Sequence, residues 1–151
     1  MLTSAAETWT EAEAEAVSKG GHLVTINDAV EQAFLVGAFL NGEFAQRPLW
    51  IGLTDQQKEG KFVWIGASAK GKGKQSATYT NWNASTGEPN DCCTKAKHEE
   101  DYVCINWHYA YGGTDPIGTW NDVPNDGTPR PGNNANGPYF GIIEIPSCPS
   151  F

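Results

Sequence analysis

The sequence predicts an α+β fold: two helices flanking small antiparallel sheets, with a long loop region between strands. Two segments with helix caps occupy the chain as far as Phe39, and five short runs rich in aromatic and β-branched residues follow them. The stretch from Ala67 to Glu100 is too long for an ordinary connection, and loops of that length inside a compact domain are usually functional. Thr8 or Thr10 can cap a first helix across Thr10 to Lys19. Glu11 and Glu13 suit its first turn, Ala12 and Ala16 share a face, and Gly20-Gly21 end it. Asn27 is expected to cap a second helix, with Val30, Phe34 and Val36 to Phe39 as its buried stripe and Asn41-Gly42 as its stop. The expected strands are Leu49 to Leu53, Phe62 to Ile65, Tyr102 to Trp107, Thr119 to Trp120 and Tyr139 to Ile145. Asp122 to Pro138, crowded with Asn, Gly and Pro, reads as a surface loop, and Trp50, Trp64, Trp82 and Trp120 are expected in the core.

At 151 residues, one domain spanning 1–151 is expected. A chain of this size buries roughly 68–70% of its unfolded surface, enough for a real core. The 17 Gly and 9 Pro point to long ordered loops more than to a helix bundle. No apolar run approaches the roughly 20 residues needed to cross a bilayer, so membrane insertion is not expected. The net charge of −8 argues against nucleic acid as a partner, because affinity for that polyanion comes from clustered Lys and Arg. Lys70, Lys72 and Lys74 are the only basic cluster and read as a solvated loop. Met1-Leu2-Thr3 lacks the basic start and apolar segment of a signal peptide.

Three stretches carry the chemistry: Glu88-Pro89-Asn90-Asp91, Glu99-Glu100-Asp101 and Trp120-Asn121-Asp122. Carboxylates and amide carbonyls are the ligands calcium takes, about six to eight of them, which is more than one loop here provides. Several loops must therefore converge on the ion. A coordination position left open can be filled by a sugar with two neighbouring hydroxyls, each of which gives a lone pair to the metal, donates to a carboxylate and accepts from an amide. Two bound calcium ions would also halve the net charge and relieve repulsion among the gathered carboxylates.

These stretches stand in order with Thr8-Trp9-Thr10-Glu11-Ala12, Gly20-Gly21-His22-Leu23-Val24-Thr25-Ile26, Leu49-Trp50-Ile51-Gly52-Leu53-Thr54-Asp55, Tyr79-Thr80-Asn81-Trp82 and Tyr139-Phe140-Gly141-Ile142-Ile143-Glu144. Together they resemble the C-type lectin-like domain over most of the chain. The resemblance implies a sugar-bearing calcium site at Glu88, Asn90, Glu100, Asn121 and Asp122, with a cis bond at Glu88-Pro89. It implies a second, structural calcium site at Asp55, Glu59, Asp91 and Asp101, with Glu100 able to touch both ions. In the resembled family the order Glu-Pro-Asn goes with sugars whose adjacent hydroxyls are both equatorial: mannose, glucose, N-acetylglucosamine, and fucose presented equivalently. The eight residues Cys92 to Glu99 make a long insertion for that type. The resembled domain usually opens with a strand paired to its last one; only Met1 to Ser4 remain for that role, so the first strand is expected to be truncated, with further residues upstream. Trp107, His108, Tyr109 and Tyr111 lie close enough in sequence to line a sugar site.

The cysteines depart from the resembled pattern: Ala16, Tyr102, Asn125 and Ile143 stand where its two disulfides would be. Cys92, Cys93, Cys104 and Cys148 permit three connectivities. The favoured one bonds Cys92 or Cys93 to Cys104 and the other of that pair to Cys148, each worth roughly 2–4 kcal/mol. A zinc site from Cys92, Cys93, His98 and Cys104 fits common spacings poorly. Oxidised cysteines and calcium ligands suit an extracellular or cell-surface setting. Asn83-Ala84-Ser85 is a glycosylation acceptor in a eukaryotic source, whereas the missing family disulfides lean toward a bacterial or otherwise divergent one. The expected function is calcium-dependent binding of glycans, without enzymatic activity, with avidity from several copies or a larger parent protein. The alternative keeps calcium and fold but takes a protein or other surface as its target.

Overall fold

The computed structural model describes residues 1–66, 75–91, 99–107, 115–127 and 137–146. Helix α1 runs over Trp9–Ser18 and is capped by Thr8, which forms a capping box with Glu11. Its end is a Schellman motif: Gly21 N–H bonds Ala16 O at 3.0 Å and Gly20 N–H bonds Val17 O at 2.9 Å, with Gly20 at φ +82°. The strand β1 (His22–Leu23) leads to helix α2 (Ala29–Phe39) and a 3-10 turn over Gly42–Phe44. Then come β2 (Leu49–Thr54), β3 (Val63–Trp64), β4 (Gln75–Ser76), β5 (Tyr102–Ile105), β6 (Trp120–Val123), β7 (Phe140–Gly141) and β8 (Ile143–Glu144). This is the α+β arrangement read from the sequence.

The main sheet has the order β4-β3-β2-β5-β6, with β7 parallel to β2, and a two-stranded sheet pairs β1 with β8. The N-terminus joins this closing ladder. Leu2 bridges Ile142, and Thr3 N–H donates to Gly141 O at 2.9 Å. Strand β2 is buried along its whole length, as befits a central strand. A methyl group on its Gly52 would sit 2.5 Å from Leu23 O, so only glycine lets β1 and β2 come this close.

Two expectations for α2 need correction. Asp28, not Asn27, caps the helix, its Oδ1 accepting from Val30 and Glu31 N–H at 2.8 and 2.9 Å. Val30 and Phe34 are 78% and 68% exposed, and the buried stripe runs instead through Gln32 and Leu35, with Val36 and Phe39 half-buried. The reason is chemical. Gln32 takes the core position because its amide donates to Gly118 O at 2.9 Å and accepts from Trp120 Nε1 at 2.8 Å. A buried indole N–H needs such a partner. Trp120 is fully buried, edge-on to Trp64, Trp82 and Tyr79 with centroids 5.7–5.8 Å away. Trp50 and Trp64 are also in the core, whereas Trp82 is half-buried against Phe62.

Cys104 is a free, fully buried thiol in β5, packed in a cluster with Trp9, Leu23 and Trp50, and burial pushes its pKa up. The expected bond from Cys104 to Cys92 or Cys93 is therefore overturned, and with it Cys104 as a zinc ligand: an inward-facing side chain on a central strand is committed to the core. Cys92, Cys93, His98 and Cys148 lie outside the described residues, as do Lys70, Lys72 and Lys74. No helix among the described residues is long and apolar enough to cross a membrane.

Candidate functional site

Strand β6 delivers the first pair of site residues. Its register against β5 places Asn121 opposite Cys104 and Asp122 opposite Val103, and both polar side chains are buried, at 2% and 3% exposure. The turn carrying Glu88, Pro89, Asn90 and Asp91 docks onto this strand through Asp122. Its Oδ1 accepts from Asn90 N–H at 3.1 Å and its Oδ2 from Asp91 N–H at 2.9 Å. Asp91 holds φ +41°, in the left-handed region that Asp tolerates better than most residues, and Glu88-Pro89 is cis.

Glu88 lies among its expected partners. Its Oε2 accepts from Asn90 Nδ2 at 2.7 Å and its Oε1 from Thr86 Oγ1 at 2.9 Å. Its pKa is pushed up to about 8, first by burial and then by Asp122, which shares a hydrogen bond with it; bonds from Thr86 and Asn121 partly offset the rise. Asn121 Oδ1 is buried without a hydrogen-bond partner among the described residues. Glu100 is buried beside this group, with its N–H 3.5 Å from Asp91 Oδ1.

A second acidic group adjoins the first. Asp55 opens the turn after β2, its Oδ2 accepting from Gly60 N–H at 2.9 Å and its own N–H donating to Asp101 O at 3.2 Å. Its Oδ1 is also buried without a partner among the described residues. Burial raises the Asp55 pKa to about 7; the Gly60 N–H opposes this, and the charges of Glu59, Asp101 and Asp122 add to it. Asp101 is raised as well, by burial and by Glu99, Glu59 and Asp91. The structure thus brings Glu88, Asn90, Asn121 and Asp122 into one hydrogen-bonded group, and places Asp55, Glu59 and Asp91 each within electrostatic reach of Asp101. Among the described residues, no three His, Cys, Asp or Glu side chains are gathered closely enough to hold a metal by themselves. The first group mixes amide with carboxylate oxygens.

The donor set favours a hard cation. All the candidate ligands are oxygens, two of those oxygens are buried and unpaired among the described residues, and burial, with neighbouring acids adding to it, raises the pKa of Asp55 and of Glu88. Trp107 is half-buried against the core, while His108, Tyr109 and Tyr111 lie outside the described residues.

Sequence reasoning missed Thr86, which braces Glu88, and Gln32, which fixes Trp120 next to Asn121. Thr86 could have been found from its i, i+2 spacing to Glu88; nothing local marks Gln32. Asn83, the glycosylation acceptor, is 1% exposed and its amide donates to Asp115 Oδ2 at 3.2 Å, so folding hides it.

The family model for the lectin C-type domain matches residues 5–124. Over 101 residues, 64% of this chain, the sequence is 36% identical to C-type lectin domain family 4 member F of Mus musculus, of which the chain spans only 18%. Among solved structures, the cow C-type carbohydrate-recognition domain of CD23, in the presence of a GlcNAc2Man3 oligosaccharide, matches with TM-score 0.65. Its identity is 25%, over 97% of this chain and 87% of that one. The C-type lectin CEL-I from Cucumaria echinata matches with TM-score 0.60 at 27% identity, over 93% of this chain and 81% of that one. These relatives are animal proteins and give the expectation of a bacterial source no support.

Proposed function

The chain belongs to the family of C-type lectin domains, and from that premise we propose that it binds glycans through a loop-held calcium ion, taking vicinal equatorial hydroxyls of the mannose type. The observation that carries this reading is the buried, unpartnered Asn121 Oδ1 beside Glu88 and Asp122. An unpaired buried acceptor costs about 1–3 kcal/mol, and a cation brought in from solvent removes that cost. Glu88, Asn90, Glu100, Asn121 and Asp122 are the residues that would hold the sugar-bearing ion. Asp55, Glu59, Asp91 and Asp101 would hold a second ion that orders the loops. Calcium, when bound, supplies a hard cation with coordination positions to spare for sugar oxygens.

The chain's own residues supply the rest of recognition. Glu88 and Glu100 accept from the sugar O–H groups, while the amides of Asn90 and Asn121 donate to the sugar oxygens. The Glu-Pro-Asn order of residues 88–90 supports equatorial diols, and the oligosaccharide named with the bovine CD23 domain contains mannose and N-acetylglucosamine. The module is proposed to work outside the cell without catalysing a reaction, since carboxylates kept ionised by a cation cannot act as proton donors. One site would bind on the order of millimolar, about −4 kcal/mol, so avidity would come from several copies or a larger parent protein.

Retention on mannose-agarose tests the reading. The wild-type chain is expected to bind in calcium and to elute with EDTA or free mannose. Asn121→Ala should lose retention while its far-UV circular dichroism is unchanged; retention equal to wild type would show the site to be elsewhere.

A further inference from the structure

The turn that carries Glu88 is held from outside the proposed ligand set. Asn83 N–H donates to Trp120 O at 2.9 Å, and Asn83 O accepts from Glu88 N–H at 3.1 Å. One residue thus ties the backbone of Glu88 to the residue just before Asn121. The Asn83 side chain is fixed at both ends. Its Nδ2 donates to Asp115 Oδ2 at 3.2 Å, and its Oδ1 accepts from Ser85 N–H at 3.2 Å and from Ser85 Oγ at 2.9 Å. Ser85 Oγ also lies against Asp115 Oδ1, its one proton shared between that oxygen and Asn83 Oδ1, which closes a ring of three side chains. Asp115 stands on the segment that leads into β6, whereas Asn83 and Ser85 stand on the turn that leads into Glu88.

We infer that Asp115, acting through Asn83 and Ser85, is a positioning residue that sets Glu88 against Asn121 and Asp122. This rests on the reading that Glu88 and Asn121 share an ion. The two arms of the site come from segments some thirty residues apart in sequence, and their relative stance depends on contacts between those segments. Asp122 clamps the far side of the turn at Asn90 and Asp91; the Asp115 ring clamps the near side at Asn83. Partners of this outer kind orient metal ligands, and losing one typically weakens metal affinity by about 10–100-fold. The Asn83-Ala84-Ser85 triplet, which reads as a glycosylation acceptor, has its amide and its hydroxyl engaged in this ring.

Calcium titration and amide hydrogen exchange on wild type, Asp115→Ala and Asp115→Asn test the inference, with thermal melts to check that each variant folds. An asparagine can keep the ring, its oxygen accepting from Asn83 and its nitrogen donating to Ser85 Oγ. Asp115→Ala should weaken calcium affinity about 10-fold or more and speed exchange of the Glu88 N–H, whereas Asp115→Asn should stay within about 2-fold of wild type in affinity and leave exchange unchanged. Equal weakening in both variants would assign the effect to charge and overturn the inference, as would no change in either. Should the wild type bind no calcium, the sugar-site reading fails instead, and the exchange of Glu88 alone decides: faster in Asp115→Ala only supports the ring, unchanged in both variants overturns it.

Discussion

The carboxylates around α1 and those at the loop end of the sheet are the same chemical groups under opposite conditions. Glu11 accepts from the Thr8 hydroxyl at 2.7 Å and the Thr8 N–H at 3.0 Å, and these bonds lower its pKa. Glu15 is lowered to about 2, first by Lys19 and, against a smaller cost of burial, by Ser4. At the other end, Asp55 and Glu88 are pushed up to about 7 and about 8, because burial strips their water and their neighbours are acids. Glu7 shows that the environment decides and not the place in the chain: close to α1 but with a buried oxygen and beside Glu15, it too rises to about 7. Acids supplied with donors support the fold unaided, whereas the loop acids weigh against it until something positive joins them.

The largest expected effect comes from joining them. Groups whose folded pKa is raised contribute stability that is present while they are protonated and lost as pH rises through the folded value. Metal-free protein should therefore lose stability between about pH 4 and pH 8, the window set by Asp55 and Glu88 together with Glu7. Glu11 and Glu15, with lowered values, contribute stability above their ordinary range and lose it as pH falls, so they tilt the curve the other way only in more acid solution. Calcium at about 100 times its dissociation constant should add roughly 2.7 kcal/mol, or about 5–10 °C in melting temperature, for a chain of this size. Thermal melts from pH 4 to 8 with and without calcium read both effects. A metal-free protein whose stability climbs steadily across that window would break the comparison.

A smaller effect is expected where the core supports the site. Gln32→Leu leaves the buried Trp120 N–H without its acceptor, while the Gly118 carbonyl keeps the Asn81 amide, and should cost about 1–3 kcal/mol in urea denaturation. The smallest is at the self-sufficient end: Thr8→Ala removes one side of the α1 capping box and should cost about 1 kcal/mol, with calcium affinity unchanged. A loss of calcium binding in Thr8→Ala would mean that the two regions are not independent.

Much of this was legible in the sequence where a local rule applied. Thr8, Glu11 and Gly20-Gly21 announced α1, and the aromatic runs at Leu49, Tyr102 and Trp120 announced the central strands, although β6 extends to Val123 through residues whose polarity looks unlike a strand. Asn121 and Asp122 are polar because of what they face, and alternation rules do not see that. Apolar residues alone misplaced the buried face of α2, because a glutamine with two long-range partners displaced the pattern. The Cys104 pairing could not be read, since sequence does not tell a core thiol from a bonded one. The oxygen-rich stretches were conspicuous, but the ring of Asn83, Ser85 and Asp115 joins positions that share no spacing rule.

Calorimetric titration of calcium at pH 7, repeated in buffers of different ionisation enthalpy, tests the loop acids most directly. Glu88 near 8 and Asp55 near 7 carry protons that metal binding must expel. The expected result is saturable binding with about one proton released per chain, diminished in Asn121→Ala. Absence of binding, or binding with no proton release and no response to Asn121→Ala, would contradict the assignment of these residues to a calcium-held sugar site.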